Sequence, residues 1–258
     1  MSNLFLPAAT LWKRELVRFY RQRDRVVGAL ATPLLFWAVI GSGFGMSFRS
    51  QVSYLEYLYP GTIILSLLFT AIFSTISIIE DRREGFLQSV LVAPIPRAGM
   101  VLGKILGAAT LAVVQGTLLL LLAPLLELPL TGYSLLLAIL ILFVVAFGLS
   151  SLGFIIAWRS QSTQGFHAIM NLFLIPMWLL SGAFFPVEGA PTWIRWVIKL
   201  NPLTYGVAAF RRALYLAAPE TGSLPPLKSS LAVILLFAVV SFVFASVAVR
   251  RQSVEDLP

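Results

Sequence analysis

Ser134-Leu-Leu-Leu-Ala-Ile-Leu-Ile-Leu-Phe-Val-Val-Ala-Phe-Gly-Leu-Ser-Ser-Leu-Gly-Phe-Ile-Ile-Ala157 runs 24 residues without a charged side chain. As a helix it rises about 36 Å, enough to cross the roughly 30 Å hydrocarbon core of a bilayer. Five more charge-free windows accompany it, at 26–48, 58–79, 105–126, 166–185 and 229–249. The only side chain in the six that can carry charge near neutral pH is His167, at the start of the fifth. In lipid every backbone amide must be satisfied within the segment, so these windows read as helices. The expectation is an all-α membrane protein, a single domain over 1–258 with six spans and both termini on one side.

Composition agrees. The 258 residues are 59% hydrophobic and 12% charged, against about 25% charged in an average globular domain. The net charge of +8 does not indicate nucleic acid, because no basic stripe interleaves with aromatics on a polar surface. Cysteine is absent, which excludes disulfides and Cys-ligated metal. Residues 1–25 are basic and lack the apolar core and small-residue site of a cleavable signal peptide. With the N-terminus inside the cell, thirteen Lys and Arg fall on inside segments and six outside, among them Arg49, Arg195, Lys199, Arg211 and Arg212. The positive-inside rule then places both termini in the cytoplasm.

Three stretches outside the windows carry organisation. In residues 8–24, Trp12, Leu16, Phe19 and Tyr20 recur at helical spacing while Lys13, Arg14, Arg18 and Arg21 cluster opposite. This reads as an interfacial amphipathic helix with its cations toward anionic headgroups; a solvated basic leader is the plainer alternative. In the connection from Glu80 to Arg97, Phe86, Leu87, Val90 and Leu91 form one apolar helical face, and Pro94 and Pro96 end it. That face suits docking to a partner or rest on the headgroups. Residues 186–228 hold two short helical patterns separated at Asn201-Pro202, because proline disfavours the α conformation at the residue before it. These pieces are too short to cross and too apolar for free solvent, so they read as a re-entrant element, with Trp193 and Trp196 at headgroup level.

Other motifs reduce to packing. Gly99 to Ile105 lacks the spacing and the Ser or Thr of a phosphate loop and opens a span. Gly99, Gly103 and Gly107 instead form an i, i+4, i+8 row that lets another helix approach closely. His167 sits at a membrane edge, as a boundary histidine or a proton relay. Gln115 and Asn171 are candidates for polar contacts within the bundle, and Pro33, Pro124 and Pro176 for kinks or helix ends. The expected spans hold no carboxylate, so an ion-coupled carrier is disfavoured, and no catalytic set can be assembled; the chain does not read as an enzyme.

With these residues in place, the chain resembles the type-2 ABC exporter permeases, which include bacterial drug, polyketide-antibiotic, lipo-oligosaccharide and polysaccharide exporters. The segments that carry the resemblance are Glu80 to Gln88 with Leu91 to Arg97, Leu180-Ser-Gly-Ala-Phe-Phe-Pro186, and Asn201-Pro-Leu-Thr-Tyr205 with Phe210-Arg-Arg212. The resemblance implies a permease of the bacterial inner membrane that pairs with a second copy. Each copy would dock a cytoplasmic ATP-binding subunit through a coupling segment, here Glu84, Gly85, Phe86, Leu87 and Leu91. Asn201, Pro202 and Tyr205 would belong to the re-entrant element. No cofactor is expected in this chain, ATP and magnesium being bound by the partner. The cargo expected from the apolar spans is a hydrophobic or amphipathic compound. A polysaccharide or lipid-linked glycan, or a membrane assembly role without transport, are the alternatives.

The absence of cysteine permits a direct test of orientation. Ser89→Cys is expected to resist impermeant thiol reagents in intact cells while Ser223→Cys is labelled; labelling of Ser89→Cys there reverses the assignment.

Overall fold

The computed structural model describes residues 4–45, 53–126, 128, 130–185, 187, 190–216 and 224–250. Residues 46–48 of the first expected span, Arg49, Pro186, Ser223 and Arg251 lie outside these. The described chain is all helix: α1 (Phe5–Arg21), α2 (Arg23–Gly45), α3 (Tyr54–Phe73), α4 (Ser77–Arg83), α5 (Phe86–Val92), α6 (Arg97–Leu120), α7 (Gly132–Arg159), α8 (Thr163–Trp178), α9 (Thr192–Leu200), α10 (Pro202–Leu214) and α11 (Leu227–Arg250). A 3-10 turn at Ser74–Ile76 joins α3 to α4, so helix continues from Tyr54 to Arg83. That segment, α6, α7, Thr163–Ala183 and α11 are each long and apolar enough to cross a membrane. The molecule is an all-α membrane protein. The first expected span falls on α2, whose apolar stretch, Leu30–Gly43, is shorter than the other five.

Several span boundaries differ from the sequence reading, most of all in the third span. The third span was expected at 105–126, but α6 begins at Arg97, directly after the extended Pro96, and ends at Leu120. Pro124 accounts for the early end: it has no amide hydrogen and its ring opposes the carbonyl four residues back, so the chain continues as a 3-10 turn over Ala123–Leu126. The fifth span starts at Thr163, where the Ser162 hydroxyl accepts from the Gly165 amide as an N-cap.

α3 and α7 form the centre. α3 is buried almost continuously from Leu58 to Ile72, and α7 contacts α3, α6, α10 and α11. Apolarity alone does not decide this, since α11 is as apolar as α7 and is less buried. α10 packs inward against α3, α7 and α11, burying Leu203, Val207, Phe210 and Leu214. α9 stays outside it, with Trp193 and Trp196 more than 60% exposed.

The glycine row has an identifiable occupant. α1 lies along α6, and Cβ atoms built at Gly103 and Gly107 would fall 2.6 Å from the Ala8 carbonyl oxygen and the Glu15 Cβ; at Gly99 the Leu4 carbonyl is 3.0 Å away. The face of α1 that meets α6 is therefore Ala8, Leu11 and Glu15. The stripe singled out from the sequence lies off this seam: Tyr20 is exposed, Trp12 is partly so, and the Trp12 indole reaches sideways to the Thr110 hydroxyl at 3.0 Å.

Filling the row should separate the two helices. Gly107→Leu is expected to cost about 1–3 kcal/mol by overpacking and to lower the yield of monodisperse protein in detergent. Leu118→Ala, on an exposed face of the same helix, should be mild. Equal yields for Gly107→Leu and the unaltered chain would remove the close approach as a requirement for folding.

Candidate functional site

At the end of the bundle that carries α5, three helices meet around one carboxylate. Asp81, near the end of α4, has no solvent exposure. The Arg14 guanidinium grips it in a two-pronged arrangement, with contacts of 2.8 and 2.9 Å, and Arg18 donates to the same Oδ1 at 2.8 Å. Lys104 donates to the other oxygen, and also to Glu15 Oε1 at 2.6 Å and Ser77 Oγ at 3.3 Å. A second prong of Arg18 reaches Glu80 at 2.7 Å. Arg14, Arg18 and Lys104 thus balance Glu15, Glu80 and Asp81.

Local geometry explains the convergence. Arg14 and Arg18 are four apart on α1 and so lie on one face. Lys104 lies between Gly103, which draws α6 against α1 at Ala8 and Leu11, and Gly107, which does so at Glu15. Isolated ions would be expelled from such a place, whereas paired and fully hydrogen-bonded ions persist. Burial opposes the Arg14 charge, but the hydrogen bond and charge of Asp81 outweigh it, and the guanidinium pKa lies above its ordinary value.

This corrects the reading of α1. Arg14 and Arg18, expected to face headgroups, turn inward to Asp81 and Glu80; Lys13 and Arg21 stay on the outside. The sequence carried one signal of this cluster: opposite charges stand beside two consecutive apolar windows, Asp81 after the second and Lys104 before the third.

α5 hangs from the cluster. Gly85 takes φ +76, a left-handed turn suited to glycine, and ends α4 against α5. Phe86 lies under the Arg14 guanidinium, whose carbon is 3.8 Å from the ring centre. Leu87 is 2% exposed in the chain's own core, and Val90 and Leu91 pack beside it. The face expected to fill a partner's groove is therefore turned inward, because the apolar core of the same chain lies closer. What α5 and its turn present outward is Arg83, Glu84, Gln88, Ser89 and Val92, the last 72% exposed. An open cleft of about 600 Å³ lies alongside, lined by Lys13, Arg14, Arg18, Arg21 and Glu84 among others.

The opposite end is organised by carbonyl capture. Past α8 the chain forms a π segment, Leu179–Ala183, in which Leu180 (ψ 24) and Gly182 (φ 76) leave helical geometry. Asn201 answers this break. Its Nδ2 donates to the carbonyls of Met177 (2.6 Å) and Leu180 (3.1 Å), while its Oδ1 accepts from the Leu203 amide and caps α10. Pro202 occupies the first position of α10, where a missing amide hydrogen costs nothing. Tyr205 donates to the Lys199 carbonyl at 3.0 Å, bracing the corner between α9 and α10. Arg211, counted from the sequence among loop cations, is 7% exposed. It reaches the Tyr57 and Ala183 carbonyls and stacks on the Tyr57 ring at 4.1 Å. Trp178 donates to the Gly61 carbonyl at 2.8 Å, so the break in the fifth span is fastened to both α3 and α10.

The remaining candidates separate. Gln115 bridges α6 to α3, donating to Ser66 at 2.7 Å and accepting from Thr70. Asn171 is exposed on α8, so it makes no such bridge in this chain. His167 is also exposed and lies 4.9 Å from Phe73, ring to ring. No group of three His, Cys, Asp or Glu suited to a metal occurs among the described residues.

Comparison with known proteins adds a family. Residues 8–215 match the family described as ABC-2 type transporter. Nodulation protein J of Rhizobium leguminosarum bv. viciae is 26% identical over 98% of this chain and 99% of its own length. Nodulation protein J of Rhizobium meliloti (strain 1021) is 27% identical over 94% and 92%. The "Probable multidrug ABC transporter permease YbhR" of Escherichia coli (strain K12) is 28% identical over 61% of this chain and 43% of its own length.

The cluster makes a quantitative demand. Asp81→Asn leaves cations without their shared partner, and breaking a buried pair typically costs about 3–5 kcal/mol. A markedly lower unfolding midpoint by tryptophan fluorescence in detergent is expected, with partial recovery on adding Lys104→Met. Glu84→Gln, at a 59% exposed carboxylate, should shift stability by at most about 1 kcal/mol. Unfolding of Asp81→Asn at the unaltered midpoint would show that the cluster does not hold the helices together.

Proposed function

The chain belongs to the ABC-2 type transporter family, and on that premise we propose that it is the permease of an exporter driven by a separate ATP-binding subunit. Two copies form the membrane unit in this reading, with α1 and α5 on the cytoplasmic side of a bacterial inner membrane. The observation that carries the mechanism is the Asp81 cluster, because it fastens α1, α4 and α6 together beside α5. A push delivered to α5 by a closing ATPase reaches α4 through the two-residue turn Glu84-Gly85. Asp81 then passes it to α1 and α6 through charge-assisted hydrogen bonds, the stiffest polar contacts a protein makes. ATP and magnesium belong to the partner, and this chain supplies the contact and the moving helices.

The docking surface in this reading is Arg83, Glu84, Gln88, Ser89 and Val92. Phe86, Leu87 and Leu91 hold that surface in place from behind, and Gly85 sets its angle. The cargo is hydrophobic or amphipathic, in keeping with apolar, charge-poor spans. A second reading, a glycan or glycan-bearing cargo, is favoured by one observation: α8 exposes Gln164, His167 and Asn171 along one side, with the His167 ring against Phe73. Polar side chains exposed within a membrane-spanning helix call for a polar neighbour, and hydroxyl groups with ring faces would provide it.

The test is co-purification with the cognate ATP-binding subunit and ATP turnover in nanodiscs. Val92→Asp, which places a charge in the docked surface without touching the core, is expected to weaken association by about tenfold or more, equivalent to ~1.4 kcal/mol. Leu87→Asp should instead fail to fold. Wild-type association and turnover for Val92→Asp would exclude the outward face of α5 as the coupling surface.

A further inference from the structure

A cavity of about 310 Å³ lies between the lower parts of α2 and α3, closed at one side by Phe19 from the end of α1. Its walls come from Gly28, Thr32 and Pro33 on α2 and from Ser66, Phe69, Thr70, Phe73 and Ser74 on and after α3. That volume is at the lower end of the range for small-molecule sites, about 300–1,000 Å³.

The cavity follows from the residues that face each other. Gly28 and Thr32 are four apart on α2, and Ser66, Thr70 and Ser74 are spaced by four on the α3 side. Two such rows of small residues ordinarily let helices close together. Here they stay apart, and a Cβ built on Gly28 meets nothing within 4 Å. Phe19, Phe69 and Phe73 stand around the gap, Phe69 and Phe73 stacked at 5.4 Å.

Its chemistry selects the occupant. No lining residue carries a charge. The Thr70 hydroxyl is spent on Gln115, and Ser66 accepts from the same amide at 2.7 Å. Two of the four lining hydroxyls, Ser66 and Thr70, thus bond to Gln115 behind the wall, those of Thr32 and Ser74 are the remaining polar groups, and most of what faces the space is apolar, from three phenyl rings and the Pro33 ring. Sugars and peptides would lose hydrogen bonds there; a flexible hydrocarbon chain would lose none.

We propose that this cavity is a binding site for a single alkyl chain, entering from the membrane between α2 and α3. Two sources share that chemistry, the acyl chain of a membrane phospholipid and the hydrocarbon part of an amphipathic cargo. Only the second source rests on the transport reading above.

The experiment uses the full chain in nanodiscs, without the ATPase. One arm carries a phosphatidylglycerol with a diazirine near the end of one acyl chain; the other carries a free dodecyl amphiphile with the same group. After irradiation, adducts are mapped by peptide mass spectrometry. The expected result is adducts concentrated on Thr32, Phe69 and Phe73. Gly28→Leu fills open space and replaces a helical glycine with a better helix former, so the variant folds. It displaces about two methylenes of bound chain, and labelling should fall about tenfold. Site-specific labelling in the phospholipid arm supports the site with the bilayer as source. Site-specific labelling confined to the free amphiphile supports it with a cargo-like source. Labelling spread evenly over the outer surface, or unchanged by Gly28→Leu, overturns the proposal. Since neither arm measures transport, export can fail in a separate assay while the site stands, and the reverse.

Discussion

A carboxylate with no access to water sits at the end of a membrane-spanning helix, and much of this molecule is arranged to neutralise it. Asp81 cannot remain charged in that place without cations supplied from elsewhere, and the chain brings three, two from α1 and one from α6. This requirement fixes the angle at which α1 lies, because Arg14 and Arg18 must arrive on the same side as Glu15. It also fixes how close α1 must come to α6, since Lys104 serves both Asp81 and Glu15. The glycines of α6 are the backbone answer to that electrostatic demand. Wherever a side chain would have stood between α1 and Lys104, the sequence has none.

The same constraint explains why α5 is held as it is. Arg14 uses its edge on Asp81 and its face on Phe86, two different kinds of contact from one planar group. A lysine could keep the charge but not the stacked ring. Leu87, Val90 and Leu91 then bury against the chain's own core, which leaves a polar outward surface with one exposed valine. A short helix of seven residues would be unstable by itself; here it is stabilised entirely by what it is fastened to.

The apolar spans were legible because their signal is local: two dozen residues without charge cannot be anything else in this context. The break at Asn201-Pro202 was legible for the same reason, proline acting on its immediate neighbour. The burial direction of α1 and α5 was not. Periodicity identifies an apolar face but does not say whether lipid, a partner or the same chain covers it. For α1 the protein-facing side proved to be Ala8, Leu11 and Glu15, less apolar than Trp12, Leu16, Phe19 and Tyr20, because ion pairing with a residue 67 positions away decided the matter. Asn201 and Arg211 were similarly opaque. Their partners are carbonyls released by an irregular turn at 179–183, and nothing in the local sequence announces a carbonyl in need of a donor.

α3 connects these two arrangements. Its continuation bears Asp81 at one end, and its beginning bears Tyr57 and Gly61 at the other, where Arg211 and Trp178 hold it to the broken end of the fifth span. Between them it is buried on nearly all sides and packed like a solid. The enclosed part of this rod, α3 itself, has little room to bend, and the change in helix type at Ser74–Ile76, between it and Asp81, is where the rod can flex. The far end is held through hydrogen bonds to main-chain oxygens in a segment that departs from regular helix at Leu180 and Gly182. On the transport reading proposed above, ionic fastening at one end, an enclosed helix, and a backbone irregularity at the other would form the route by which motion entering at α5 reaches the break in the fifth span.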